Sequence, residues 1–353
     1  MLAVSGCGSE MPPTTPQGPA ALTPVAATSE WPASTPEAEG IDRRMMLELV
    51  QHIHERRYGT IHSLLIVRHR RLVLEEYFSG WNAASAHTLQ SVTKSVTSLA
   101  VGLAIDRGRL RLSDTPLSLF RDYEPVAAVD ARKEALTVRD LLMMQSGFNW
   151  DEGHYEGSPL QQLNTCRCDW IRFMLDWPMR ETPGTRWQYT SGNTILLGAM
   201  VGRATGRRID QFLDEQLFAA LDVRDARWER GLPDGLPHTG GGLYLRSRDM
   251  AKLGTLVAAN GTWQDRSLIS SSWIAGSTAT PTTTGWTFGG QLAAYGYGWW
   301  GLPQGVITAS GARGQWIFIV PARDLVVVST AENTSGADAA VRFFYSQILP
   351  AVN

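Results

Sequence analysis

The chain places its most β-prone segments at its two ends, with a long helical stretch between them. HSLLIVRHRRLVLEEYFSG (62–80) holds two β-rich runs around an Arg/His turn, the pattern of a β-hairpin. Far along the chain, Val306–Ala309, Gln315–Val320 and Leu325–Thr330 read as three further strands, the last two joined by a Pro321-Ala322-Arg323-Asp324 turn. A helix over Ile41–Tyr58, with Met45, Leu49 and Ile53 at i, i+4 and i+8, precedes the hairpin, and a closing helix fits Ala337–Ile348. The middle contains capped helices: Thr137 and Asp140 form a capping-box pattern before LLMMQSG. Others are expected at about 194–205 and 209–221, ending near Gly206 and Leu221, and at about 248–259 before Asn260-Gly261. The layout predicts an α+β fold, with one antiparallel sheet assembled from both chain ends and a mainly helical region inserted between its strands.

Hydrophobic residues make up 43% and charged residues 19% of the 353 residues, as in an ordinary globule with a substantial core. Length alone suggests about two domains. Net charge is −2 with no basic run, so neither nucleic acid nor an anionic membrane is indicated as a partner. No segment approaches the roughly eighteen apolar residues of a membrane span.

Residues 1–39 differ from the rest. Val4-Ser5-Gly6-Cys7 resembles a lipoprotein lipobox, without the basic and apolar regions of a full signal peptide, and a Pro/Thr/Ala/Ser-rich linker follows. The expectation is an exported protein, periplasmic or membrane-anchored, with a possible lipid anchor at Cys7. Cys166 and Cys168, an i, i+2 pair, are poorly placed for an unstrained disulfide and are expected as two packed or reactive thiols. No further Cys or His clusters beside them, so no metal site is expected there or elsewhere. His52 and His54 point to different sides of a helix, and His154 and His238 lie in loops that border a cleft or simply pack.

The chain has three lysines, Lys94, Lys133 and Lys252, against 29 arginines. One of them closes the stretch Ser91-Val92-Thr93-Lys94. Val92, Val96, Leu99 and Leu103 mark one helical face and Gly108 offers a stop, so Ser91 and Lys94 fall one turn apart on the same side. A serine hydroxyl needs a base to act as a nucleophile, and a buried lysine can be that base where arginine cannot. The alternative is a helix-capping Ser91 with an exposed Lys94. Tyr189 lies in a loop opening directly into a helix, and beside Lys94 it has the chemistry to act as base and then acid, or it is a buried, hydrogen-bonded aromatic. In TASGARGQWIFIV, Gly311 and Gly314 let a substrate approach the strand backbone, where an amide could join that of Ser91 in an oxyanion hole.

Taken in order, Ser91-Val92-Thr93-Lys94, Tyr189-Thr190-Ser191 and Ser310-Gly311 resemble the three motifs of the serine β-lactamase and penicillin-binding protein superfamily. Its class C β-lactamase-like branch, with the family VIII carboxylesterases and 6-aminohexanoate-dimer hydrolase, is the most alike. LTVRDLLMMQSGFNWDE, RETPGTRWQYTSGNTILLG, GGGLYLRSRDMAKLG and YGYGWW are similar too, and the resemblance spans about 40–335. It implies a β-lactamase/transpeptidase-like catalytic domain over 40–353, its α/β part at about 40–90 and 240–353 and its helical part at about 91–239. It also implies Ser91 as nucleophile, Lys94 as its base partner and Tyr189 as general acid/base. The amides of Ser91 and Ala312 would form the oxyanion hole, and Ser191, Ser310 and Gly311 would bind substrate. No cofactor is implied.

Two departures bear on the substrate. Ser191 stands where β-lactamases have the Asn of Tyr-x-Asn, and Ala309-Ser310-Gly311 replaces Lys-Thr-Gly, removing a cation that holds a β-lactam's carboxylate. These point to a hydrolase of a small carboxylic ester or linear amide acting through an acyl-enzyme. The alternatives are a β-lactamase, a D-alanyl-D-alanine carboxypeptidase, or a penicillin-binding protein without turnover. No Gly-x-Ser-x-Gly elbow is present, which argues against an α/β-hydrolase. The Gly- and aromatic-rich run 285–301 reads as either an acyl pocket or core packing.

Overall fold

The computed structural model describes residues 21–28, 31–231, 233, 235–334 and 338–353. Among them, eight strands form one antiparallel sheet in the order 71–77, 61–68, 325–331, 315–320, 306–311, 300–302, 291–295, 282–288. The hairpin from the start of the chain thus pairs with the last strand, Ile66 opposite Val327, and the two ends share one sheet. Its tight turn places His69 and Arg70 at φ 49° and 59°, the left-handed pair that a two-residue hairpin connection requires.

The central strands Gln315–Val320 and Leu325–Ala331 are buried along their whole length because helices cover both faces. One core packs Ile317, Val326 and Val328 against the helix Ser247–Ala258 and the inserted helices. The approach is close: a Cβ on Gly254 would lie 2.5 Å from Val326 Cγ1. The other core packs Phe318 and Val327 against Arg43–His54 and the C-terminal helices, where Ala339–Phe343 continues as a π-helical turn, Phe344–Ile348. The expected helix at 209–221 is likewise α over Ile209–Leu213 and π over Asp214–Phe218.

Run 285–301 forms much of three further strands, Thr282–Phe288, Gln291–Tyr295 and Trp300–Leu302, which extend the sheet to its far edge. Cys166 and Cys168 are joined in a disulfide, which corrects the expectation of two thiols. The chain leaves the helix Pro159–Thr165 in an extended conformation at Cys166, setting the two Cα atoms 5.2 Å apart, within the ordinary disulfide range.

Cys7 lies outside the described residues. The later part of the Pro/Thr/Ala-rich stretch is packed on the body: Trp31 is buried edge-on against Trp263 at 5.5 Å, and Thr23 hydrogen-bonds to both carboxylate oxygens of Glu76. Among the described residues no helix is long and apolar enough to cross a membrane.

Candidate active site

Ser91 is positioned by a small three-stranded sheet in which Ala86–Thr88 pairs with Leu243–Arg246. The Leu89 amide extends this pairing to the Leu243 carbonyl at 2.8 Å. Gln90 then takes φ 47°, a costly conformation for a side chain other than glycine, and Ser91 opens the helix Val92–Asp106. Strand Val306–Gly311 crosses this segment so closely that a Cβ on Gly311 would lie 2.3 Å from the Leu89 carbonyl oxygen, which is why glycine stands there. The helix is buried through most of its length, and two of its hydroxyls tie it to neighbouring segments: Thr97 Oγ1 donates to the Thr239 carbonyl at 2.9 Å and Ser95 Oγ to the Gly298 carbonyl at 2.6 Å.

The capping alternative for Ser91 does not hold, since its side chain makes no cap hydrogen bond. Lys94 is 2% exposed, and its Nζ donates to Ser91 Oγ at 3.0 Å and to the Gly240 carbonyl at 2.6 Å. Nζ also lies 4.9 Å from the centroid of the Tyr189 ring. The other two lysines are buried as well, Lys133 on the carbonyls of Ala127 and Leu175 and Lys252 beside Asp249 at 3.2 Å.

Burial pushes the Lys94 ammonium down to about 8, and the nearby Glu152 carboxylate opposes this. The Tyr189 phenol moves opposite to the expectation that a nearby cation would ease its ionisation. Burial drives it well above its ordinary range, and its hydrogen bond with Ser91 only partly offsets this. The resting phenol therefore holds its proton, and the lysine is the group whose charge changes near neutrality.

Ser91, Tyr189, Ser191 and Ala312 line one cleft of about 910 Å³. A second cavity of about 240 Å³ shares Ser91, Tyr189 and Ala312 and adds Ser310 and Gly311. The structure thus brings every sequence-predicted site residue around one hydroxyl. Ser191 faces protein: its Oγ donates to Glu152 Oε1 at 2.9 Å and its amide to Oε2 at 3.1 Å. Oε2 also accepts from Trp150 Nε1 at 2.8 Å. Ala309 is fully buried in the core and lines neither cavity.

His238 lines the cleft with Nε2 3.0 Å from Asn164 Oδ1, and burial beside Lys94 holds it down to about 4, so it is neutral at pH 7. His154 is exposed and does not line the cleft. Glu152 and the Gly240 carbonyl were not singled out by sequence reasoning. Glu152 closes the segment LTVRDLLMMQSGFNWDE, 61 residues from Ser91, but nothing in that segment assigns the carboxylate a role, and a backbone carbonyl carries no side-chain signal. Among the described residues no group of three or more potential metal ligands converges.

A helix-borne serine–lysine pair facing a tyrosine, set beside the inner strands of a two-ended antiparallel sheet, defines the β-lactamase/transpeptidase-like fold. The chain belongs to the Beta-lactamase family, whose model matches residues 49–346. It is 27% identical over 328 residues to the 6-aminohexanoate-dimer hydrolase of Paenarthrobacter ureafaciens, covering 87% of this chain and 82% of that enzyme. It is 30% identical over 173 residues to esterase EstB of Burkholderia gladioli, covering 46% of this chain and 44% of the esterase. The solved structure of EstCE1, a hydrolase with promiscuous acyltransferase activity, shares the fold with a TM-score of 0.73 at 17% identity, over 90% of this chain and 99% of that one. The chain is an enzyme of the serine-hydrolase type within this family.

Proposed function

We propose that the protein hydrolyses a small carboxylic ester or linear amide through an acyl-enzyme on Ser91. The carrying observation is Lys94 Nζ held 3.0 Å from Ser91 Oγ in a buried setting that brings its ionisation to about pH 8. Neutral Lys94 takes the hydroxyl proton as Ser91 Oγ attacks the carbonyl carbon. The developing oxyanion is held by the amides of Ser91, at the start of its helix, and of Ala312, at the end of its strand. Tyr189 gives its proton to the departing oxygen or nitrogen as the C–O or C–N bond breaks, and regains one from the Lys94 ammonium. Water then repeats the sequence on the acyl-enzyme. Ser191, Ser310 and Gly311 shape the substrate's surroundings.

The hydrolase and esterase relatives support an ester or linear amide, as does the buried methyl of Ala309 where β-lactamases carry a cation. The disulfide supports work outside a reducing cytosol. Ser91→Ala is expected to abolish fluorophosphonate labelling and all turnover in a panel of p-nitrophenyl esters, a linear aminoacyl amide and a chromogenic cephalosporin, with small uncharged esters the best native substrates. Labelling that survives the substitution places the nucleophile elsewhere, and a native preference for the cephalosporin replaces the esterase reading with a β-lactamase.

A further inference from the structure

The smaller cavity beside Ser91 has an unusual lining. Trp286, Phe288, Trp300, Trp316 and Tyr189 line it, and Asp338 lines it as well. The rings form a connected set: Trp286 stacks on Trp300 with centroids 5.6 Å apart, and Phe288 meets Trp300 edge-on at 4.9 Å and Trp316 at 5.3 Å. Among the described residues no lysine, arginine or histidine lines the cavity. Asp338 accepts the Gly289 amide at 3.0 Å through Oδ2, which fixes its carboxylate against the strand turn. Arg342, one helical turn on, forms no ion pair with it among the described residues.

Aromatic faces present negative charge, and a carboxylate among them adds a full one. Such a lining repels an anion, holds a neutral group only by its apolar surface, and gains both cation–π and Coulomb attraction from an ammonium. The larger cleft has the same bias: Asp151, Glu152 and Glu229 line it, and its arginine, Arg313, is paired with Glu332. The opposing charge is Lys94, enclosed behind Ser91 and lining neither cavity, so the charged groups that do line the two cavities favour a cation. We propose that the Trp286/Trp300/Asp338 cavity is a binding subsite for an alkylammonium group of the substrate, opposite in charge to the carboxylate-bearing antibiotics that other members of the fold accept. This deepens the reading of Ser91 as the nucleophile and rests on it, because the cavity opens beside that residue.

The test uses choline and its uncharged isostere 3,3-dimethylbutanol, with binding to the native enzyme followed by tryptophan fluorescence at constant ionic strength. Choline is expected to bind at least about tenfold more tightly. Asp338→Asn, which keeps an oxygen for the Gly289 amide, and Trp286→Ala should each remove most of that preference, with unfolding transitions recorded for every variant. The kcat/KM ratio of acetylcholine to 3,3-dimethylbutyl acetate should fall in parallel. Equal binding of the two alcohols, or a preference that survives both substitutions, overturns the subsite. Binding needs no turnover, so it is judged separately from the loss of labelling in Ser91→Ala that tests the nucleophile.

Discussion

If Lys94 is the base, the pH of the medium sets how much enzyme is competent, and the buried amine gives the scale. With an ionisation at about 8, about one tenth of Lys94 is neutral at pH 7 and about nine tenths at pH 9. At the ordinary 10.5 the neutral share at pH 7 would be about 3 in 10,000, so burial raises the competent fraction about 300-fold. The kcat/KM of a neutral p-nitrophenyl ester should therefore climb nearly tenfold between pH 7 and 9, with its midpoint near 8, after subtraction of spontaneous hydrolysis. Lys94→Arg should lose activity at every pH, because the guanidinium keeps the charge and never releases its proton. The same burial costs stability. The gap from 10.5 to about 8, at 1.36 kcal/mol per pH unit, corresponds to about 3 kcal/mol against the folded state. That penalty is fully present below pH 8, where both states are charged. It is relieved as pH rises from 8 to 10.5, where only the unfolded chain holds the proton. A rate profile that is flat from pH 6 to 9, a midpoint near 10, or full activity in Lys94→Arg would refute Lys94 as the base.

Two further outcomes follow from neighbouring groups. Glu152→Gln removes a negative charge that raises Lys94, so the midpoint of the rate profile should move to lower pH, and loss of charge-assisted bonds to Ser191 and Trp150 should cost about 1.5–3 kcal/mol in chemical denaturation. An unchanged midpoint would show that Glu152 acts only through its hydrogen bonds. His62 is buried 2.9 Å from His87, stacked on Trp81, and burial holds it down to about 4, with His87 adding to this and Glu332 opposing. Its folded state refuses a proton that the unfolded chain takes below 6.5, so stability should fall by up to about 3 kcal/mol between pH 6.5 and 4, and His62→Phe should flatten that slope in thermal melts.

The parts of this protein that are legible in its sequence are those in which local pattern and tertiary role coincide. The hairpin, the inner strands and the helix after Ser91 announce themselves because each buries a run of apolar side chains at a regular period. Ser91 and Lys94 follow from that period, one turn apart on the same helix. The strands from Thr282 to Leu302 do not announce themselves: Thr282–Phe288 is largely exposed at the sheet edge, and Trp300–Leu302 is too short to show an alternation. Asp338 sits at the start of a helix where an aspartate is ordinary, and only the folded chain brings it to the tryptophans. The Cys166–Cys168 bond depends on a local bend that spacing alone does not convey. Glu152 becomes visible through Ser191, the position where the chain departs from the family's asparagine.

The scarcity of lysine has a practical side. All three side-chain amines of the sequence are enclosed, so the solvent-facing cations of the folded enzyme are arginines. Reagents that tag, cross-link or immobilise proteins through lysine find no exposed side-chain target on the native molecule, and a lysine-directed protease finds its cleavage points inside the fold. Acylation of a lysine then becomes a report of opening rather than of surface. Of the three sites it can reveal, the one at Lys94 is the one that would also silence the proposed chemistry.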